Sequence, residues 1–76
     1  MGRVPIPKPS FLDGCTHLDY VYGERRWLSP NGLVLTWDSL HGEIESYDPR
    51  GRHRGVLDPV TGHIIKPARR GRRIRV

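Results

Sequence analysis

Three short stretches punctuate the chain after residue 28: Ser-Pro-Asn-Gly at 29–32, Asp-Pro-Arg-Gly at 48–51 and Asp-Pro-Val-Thr-Gly at 58–62. Each places proline second and glycine last. Proline pre-sets φ for the first turn position, while glycine takes the positive φ that ends a type I turn in a bulge. Reversals this frequent leave no room for long helices. The segments around them, ERRWL, GLVLTW, EIESY, HRGVL and HIIK, are four to six residues long and rich in β-branched and aromatic residues. They read as strands joined by hairpins, and no stretch after residue 24 shows a sustained helical period. The predicted fold is therefore mainly β: a small, highly twisted antiparallel meander, curled towards a barrel.

The N-terminal third has a different character. Residues 1–10 carry prolines at 5, 7 and 9 and read as an extended, poorly ordered linker. The stretch FLDGCTHLDYVYG has no clear period, and a single helical turn near Asp13 is the most its pattern supports. This reading divides the chain into a Pro-rich linker with an irregular or short-helical segment over 1–23, and a functional domain over 24–76.

At 76 residues the chain makes one small domain with a thin core, in which Trp27 and Trp37 are expected. Cys15 is the only cysteine, so neither an internal disulfide nor a cysteine-based zinc site is available. There is no apolar run of signal-peptide or membrane-spanning length, and no membrane contact is expected of the domain. Thirteen Lys and Arg against eight Asp and Glu give a formal charge of +5, which favours a polyanionic partner.

Against that background WDSLHGEIESYD, residues 37–48, holds four of the eight acidic residues and one of four histidines. On a strand Glu43, Glu45 and Tyr47 share a face, His41 has the same parity, and Asp38 falls in the bend before it. Clustered carboxylates repel each other and repel RNA, and their crowding shifts pKa values towards those useful in acid–base work. Cleavage of RNA by its own 2′-hydroxyl needs a base, an acid and cationic donors around the phosphorane, with no cofactor and no metal. His41 with Glu45, flanked by Lys66 or arginines, meets that need if the strand curves. On a straight strand, where the pair would stand roughly 13 Å apart, Glu43 is the better partner.

Other readings fit the same residues. The acids can serve as cross-strand ion pairs, or Asp38, His41 and Glu45 can hold a metal. His53, between Arg52 and Arg54, reads as a phosphate contact. The terminal KPARRGRRIRV carries six Lys or Arg; it reads as a solvated tail, or as an edge strand through the alternation of Ile74 and Val76.

The segment from Trp27 to Ile74 resembles the C-terminal cytotoxic ribonuclease domain of ribosome-inactivating colicins and related contact-dependent and polymorphic bacterial toxins. The likeness rests on WDSLHGEIESY, where that family reads Trp-Asp-Ser-any-His-Gly-Glu-hydrophobic-Glu-any-Tyr. It continues through Asp58-Pro59, Thr61-Gly62, Lys66 and Arg72. Leu35-Thr36 stand where relatives carry Tyr-Glu, so any contribution of that tyrosine is missing here.

The resemblance implies a twisted antiparallel sheet and metal-independent cleavage of 16S ribosomal RNA at the decoding centre. It implies Asp38, His41 and Glu45 as catalytic residues, with either assignment of acid and base open. Glu43, Lys66 and Arg72 would support them, and Arg52, His53, Arg54, Arg69, Arg70 and Arg73 would bind RNA. The implied partners are the small ribosomal subunit and a cognate immunity protein, expected to be acidic. The implied setting is the C-terminal part of a larger secreted toxin acting in the cytoplasm of a target cell. Two alternatives stand beside it: a non-catalytic RNA- or ribosome-binding module, and a toxin ribonuclease with another target such as tRNA.

Overall fold

The computed structural model describes residues 3–76; Met1 and Gly2 of the expected linker lie outside the described residues. Six strands form one sheet in chain order: β1 (Thr16–Val21), β2 (Glu24–Leu28), β3 (Val34–Asp38), β4 (Glu43–Tyr47), β5 (His53–Leu57) and β6 (Ile64–Pro67). Every neighbouring pair is antiparallel. The expected meander is present, and strands β2 to β6 fall on the five predicted segments. The sheet stays open, since among the described residues β1 and β6 do not pair. No described helix is long and apolar enough to cross a membrane.

The three predicted turns share one construction. Gly32, Gly51 and Gly62 sit at φ of 86°, 84° and 77°. Their N–H groups donate to the carbonyls of Ser29, Asp48 and Asp58, at 2.9, 2.8 and 2.9 Å. The aspartate side chains then gather the N–H groups inside the turn: Asp48 Oδ1 accepts from Arg50 and Arg52, and Asp58 Oδ1 from Val60 and Thr61. Gly62 has a second duty, because a Cβ there would overlap the Phe11 ring.

Antiparallel register sorts side chains onto two faces. Trp27, Leu35, Ile44 and Leu57 point to one face and, with Leu12, form the buried core, against which Ile6, Phe11, Cys15, Leu33 and Trp37 pack. Leu35 and Ile44 are fully buried, each stabilising by about 1.5–3 kcal/mol relative to exposure. Five core residues are few, as the short chain requires. The other face carries the row Arg26, Thr36, Glu45, Val56 and Lys66, aligned across β2 to β6.

Both ends of the described residues lie against the sheet, and here the structure departs from the sequence reading. The single helical turn is a 3-10 turn, Phe11–Gly14, capped by Ser10: Leu12 N–H donates to Ser10 Oγ, and Ser10 N–H to Asp13 Oδ2. Residues 16–21, expected to be irregular, form β1. Its apolar residues are too scattered to announce a strand, but its backbone pairs with β2 from Thr16 to Val21.

The proline-rich arm is extended yet docked. Val4 N–H donates to Ser39 O (2.7 Å), and the Trp37 indole donates to Val4 O (3.0 Å). Proline's missing N–H groups leave this segment few bonds to make, so Val4 holds it through these two backbone bonds and Ile6 by packing against the core. At the other end the basic tail runs beside β5: His53 N–H donates to Arg72 O, and Ile74 N–H to Gly51 O (3.0 and 2.8 Å). Its arginine side chains are solvated while its backbone is fixed, which combines the two readings of that segment.

Candidate active site

The tail and the sheet's polar face enclose an open cleft of about 1040 Å³, lined by Asp38, His41, Glu43, Glu45, Lys66 and Arg72 among others. All six residues expected to carry or support chemistry therefore share one space. They arrive from four parts of the chain: the β3–β4 connection, strand β4, strand β6 and the tail.

The β3–β4 loop is built by Asp38. Its Oδ1 accepts from the Leu40 and His41 N–H groups (3.0 and 3.2 Å), and its carbonyl accepts from Gly42 N–H (2.8 Å). Gly42 ends the loop at φ 69°. A Cβ there would press against Val4 Cγ1 at 2.8 Å, so the N-terminal arm backs the loop directly. Arg3 adds a bond from Nη1 to Ser39 Oγ (2.9 Å).

His41 thus sits in a turn and not on the strand, which corrects the parity argument made from the sequence. The turn aims its Nδ1 at Asp38 Oδ2, 2.7 Å away. Burial pushes the Asp38 carboxyl up, but bonds from the His41 ring and from the His41 and Leu40 N–H groups outweigh it and hold the group below the usual carboxylate range. An ionised Asp38 fixes Nδ1 as the protonated ring atom. Nε2, on a side chain 61 % exposed, is left to exchange a proton with a ligand.

Glu45 is held in the opposite manner, buried at the centre of the face. Its Oε1 receives His53 Nε2 at 2.8 Å and Arg72 Nη1 at 3.3 Å. His53 Nδ1 accepts from Arg69 N–H (2.9 Å), so the proton must lie on Nε2 and His53 donates to Glu45. Among the described residues Oε2 has no such partner and is not a sealed, unsatisfied atom, so it opens to the cleft. Glu43 pairs with Lys66 Nζ at 3.1 Å.

Two expectations change at this point. His53, read as a phosphate contact, has a fully buried side chain; it orients Glu45 instead. The alternative metal set of Asp38, His41 and Glu45 is not the one brought together: Glu43 joins Asp38 and His41, with ligand atoms within 4.8 Å of one another. Arg52 gives its Nε to Asp48 Oδ2 at 2.9 Å while keeping half its side chain exposed. With Arg54, Arg69, Arg70 and Arg73 it lines a second groove of about 640 Å³ beside the cleft.

Arg26 escaped the sequence reading, and Tyr47, which that reading placed on the face of Glu43 and Glu45, was given no role of its own. Tyr47 is buried with its ring edge-on to His53, centroids 5.3 Å apart. Burial pushes its hydroxyl up, while Arg72 pulls it down. Arg26 is also buried, two strands from Glu45 in the same cross-sheet row. Hairpin geometry was the available signal for His53, since the Asp-Pro-Arg-Gly turn sets it opposite Tyr47 and so on the face of Glu45.

With this geometry in view, the comparisons with known proteins bear directly on the chain. The family model described as Cytotoxic matches residues 6–75. The chain belongs to the Cytotoxic family. It is 43% identical to colicin E3 of Escherichia coli over 44 residues, 55% of this chain and 8% of that protein. It is 42% identical to colicin-E6 of the same organism over 43 residues, 54% and 8% of the two lengths. With cloacin, also from Escherichia coli, it shares 47% over 34 residues, 43% and 6% of the lengths. This Cytotoxic domain therefore spans less than a tenth of the relatives it matches. The likeness to the cytotoxic domain of colicins, read from WDSLHGEIESY, is borne out, and the family match reaches back to residue 6, into the docked arm.

Proposed function

We propose that this domain is a toxin ribonuclease that cuts 16S ribosomal RNA at the decoding centre by metal-independent acid–base catalysis, and so halts translation. The observation that carries the reading is the convergence of His41 and Glu45 on one cleft, each with its inner atom held by a partner. A base and an acid so fixed suit the two proton transfers of RNA transesterification.

In this mechanism Glu45 Oε2 takes the 2′-hydroxyl proton and the 2′-oxygen attacks the adjacent phosphorus. The P–O5′ bond breaks, and His41 Nε2 protonates the departing 5′-oxygen, leaving a 2′,3′-cyclic phosphate and a 5′-hydroxyl. Asp38 accepts from Nδ1–H of the protonated His41 ring, so that Nε2–H supplies the proton given to the leaving oxygen. Lys66 and Arg72, now paired with Glu43 and Glu45, stand at the cleft wall to stabilise charge on the phosphorane. Glu43 supports Lys66, and Arg52, Arg54, Arg69, Arg70 and Arg73 lead RNA in along the second groove. In the family setting the domain would be the C-terminal part of a larger secreted toxin that works in the target cell's cytoplasm. An acidic immunity protein would neutralise it by covering the same basic face.

The test is translation arrest in a cell-free system by the purified domain. Glu45→Gln and His41→Ala should each abolish arrest while retaining the fold by circular dichroism; full activity in either refutes the assignment. One observation favours a second reading: the Lys66–Glu43 and Arg72–Glu45 pairs are what a non-catalytic RNA-binding sheet would use for cohesion. That reading predicts salt-sensitive ribosome binding, no cut RNA, and normal binding by His41→Ala.

A further inference from the structure

The β1–β2 hairpin closes on only two residues, Tyr22 and Gly23, between the paired Val21 and Glu24. Both central residues have positive φ, 53° at Tyr22 and 76° at Gly23. This is the type I′ geometry, for which Asn, Asp and Gly are favoured. A tyrosine in the left-handed region is strained, and such strain persists where surrounding structure or function maintains it. Packing does not account for it here, because 67% of Tyr22 is exposed, as is 66% of neighbouring Tyr20.

The contacts of the ring are cationic. The Arg75 guanidinium lies 5.4 Å from its centroid and that of Arg26 lies 6.0 Å away. Both arginines connect to the cleft. Arg26 shares the cross-sheet row of Thr36 and Glu45, and Arg75 follows three residues after Arg72, which holds Glu45. Three residues of chain span roughly 10 Å, so a cationic path leads from the cleft to an open aromatic face at the hairpin tip.

We propose that Tyr22, with Arg26 and Arg75, is a base-stacking subsite for single-stranded RNA that takes an unpaired nucleotide near the one cut in the cleft. The proposal rests on the ribonuclease reading of that cleft. The exposed ring face accepts a base regardless of sequence, as stacking platforms do. Buried Arg26, paired with Glu24, orients the ring from beneath, while the exposed Arg75 guanidinium neutralises the phosphate beside the stacked nucleotide.

Strain makes the test decisive. Tyr22→Asn and Tyr22→Gly remove the ring and relieve the backbone, whereas Tyr22→Phe keeps both. Each variant is made in a His41→Ala background, so that RNA stays intact, and binding to a fluorescent, unstructured RNA oligonucleotide is read by anisotropy beside a thermal melt. The subsite predicts that Tyr22→Asn melts at or above the parent temperature yet binds about tenfold more weakly, with Tyr22→Phe within twofold of the parent. Unchanged RNA affinity in Tyr22→Asn and Tyr22→Gly overturns the proposal. So does a lowered melting temperature with affinity lost only in proportion to unfolding, which makes the tyrosine a clip for the tail. If the domain with His41 and Tyr22 intact neither binds nor cuts RNA, the ribonuclease reading itself fails; if it does both and Tyr22→Asn matches it, only the subsite fails.

Discussion

Glu45 and His53 meet across the β4–β5 ladder, Oε1 to Nε2 at 2.8 Å, and the far ring nitrogen of His53 is occupied by the Arg69 backbone N–H. The pair joins a buried carboxylate of the sheet to the basic tail, so the tail's path and the carboxylate's direction depend on one imidazole. Substituting His53→Ala strips Glu45 of a donor, orphans the Arg69 N–H and leaves a void beneath Tyr47. The expected cost is about 2 kcal/mol or more in stability, with cleavage lost by a larger factor than unfolding explains. Urea denaturation and initial cleavage rates on the same preparation check this; a variant with parental activity would show that Glu45 needs no such partner.

The arm is expected to matter to the loop it backs. Gly42→Ala forces a side chain into positive φ and into Val4, at a cost above about 1 kcal/mol. Trp37→Phe removes the donor to Val4 O and should cost about 1 kcal/mol. Both should lower kcat more than they raise KM, because the loop carries His41 and not the RNA-binding groove. Equal effects on both constants would place the arm in substrate binding.

Gly51 is where the tail fastens to the sheet. A Cβ at that position would overlap Ile74 O, on the residue whose N–H donates to Gly51 O in the strand-like contact between the tail and residues 51–53. Gly51→Ala should free the tail's end and displace Arg72, cutting cleavage at least about tenfold while the tryptophan environment of the core stays unchanged by near-ultraviolet circular dichroism. A rate within twofold of the parent would mean that Arg72 is held by its side chain alone.

Acid should unfold the domain through its turns. The Asp48 carboxyl is held below the usual range by the Arg52 N–H, with the Arg52 side chain and the Arg50 N–H adding to it, and that of Asp58 by the Thr61 and Val60 N–H groups. A depressed folded value gives stability that is complete above the unfolded pKa, near ~4, and is lost as pH falls through the folded value. Asp38 follows the same sign. Melting temperature should therefore be level around neutral pH and drop below about pH 4. The Asp48→Asn, Asp58→Asn double variant, which keeps the accepting carbonyls, should drop less steeply. An identical pH profile would mean that these carboxylates carry no such linkage.

The strands and turns were legible in the sequence because proline, glycine and aspartate act locally: Asp48 and Asp58 fold their own turns from their own side chains. The gathering of Asp38, His41, Glu43 and Glu45 was legible too, since they are neighbours in sequence. What the sequence concealed is non-local. His53 could be mistaken for a phosphate ligand because its burial depends on the tail crossing over it. The arm read as a loose linker because its anchors, Ser39 and Trp37, lie more than thirty residues away. His41 was placed on a strand because the Asx-type bonds of Asp38, which turn the loop, depend on side-chain direction and not on periodicity.

The most direct test of the account is primer extension on 16S RNA after intact ribosomes are incubated with the purified domain in excess EDTA, beside Glu45→Gln and His41→Ala. A single new stop near the 3′ end, present with the parent domain and absent with both variants, is the predicted result. Intact 16S RNA in EDTA, with either a cut restored by divalent cation or ribosome binding unaccompanied by any cut, would contradict it.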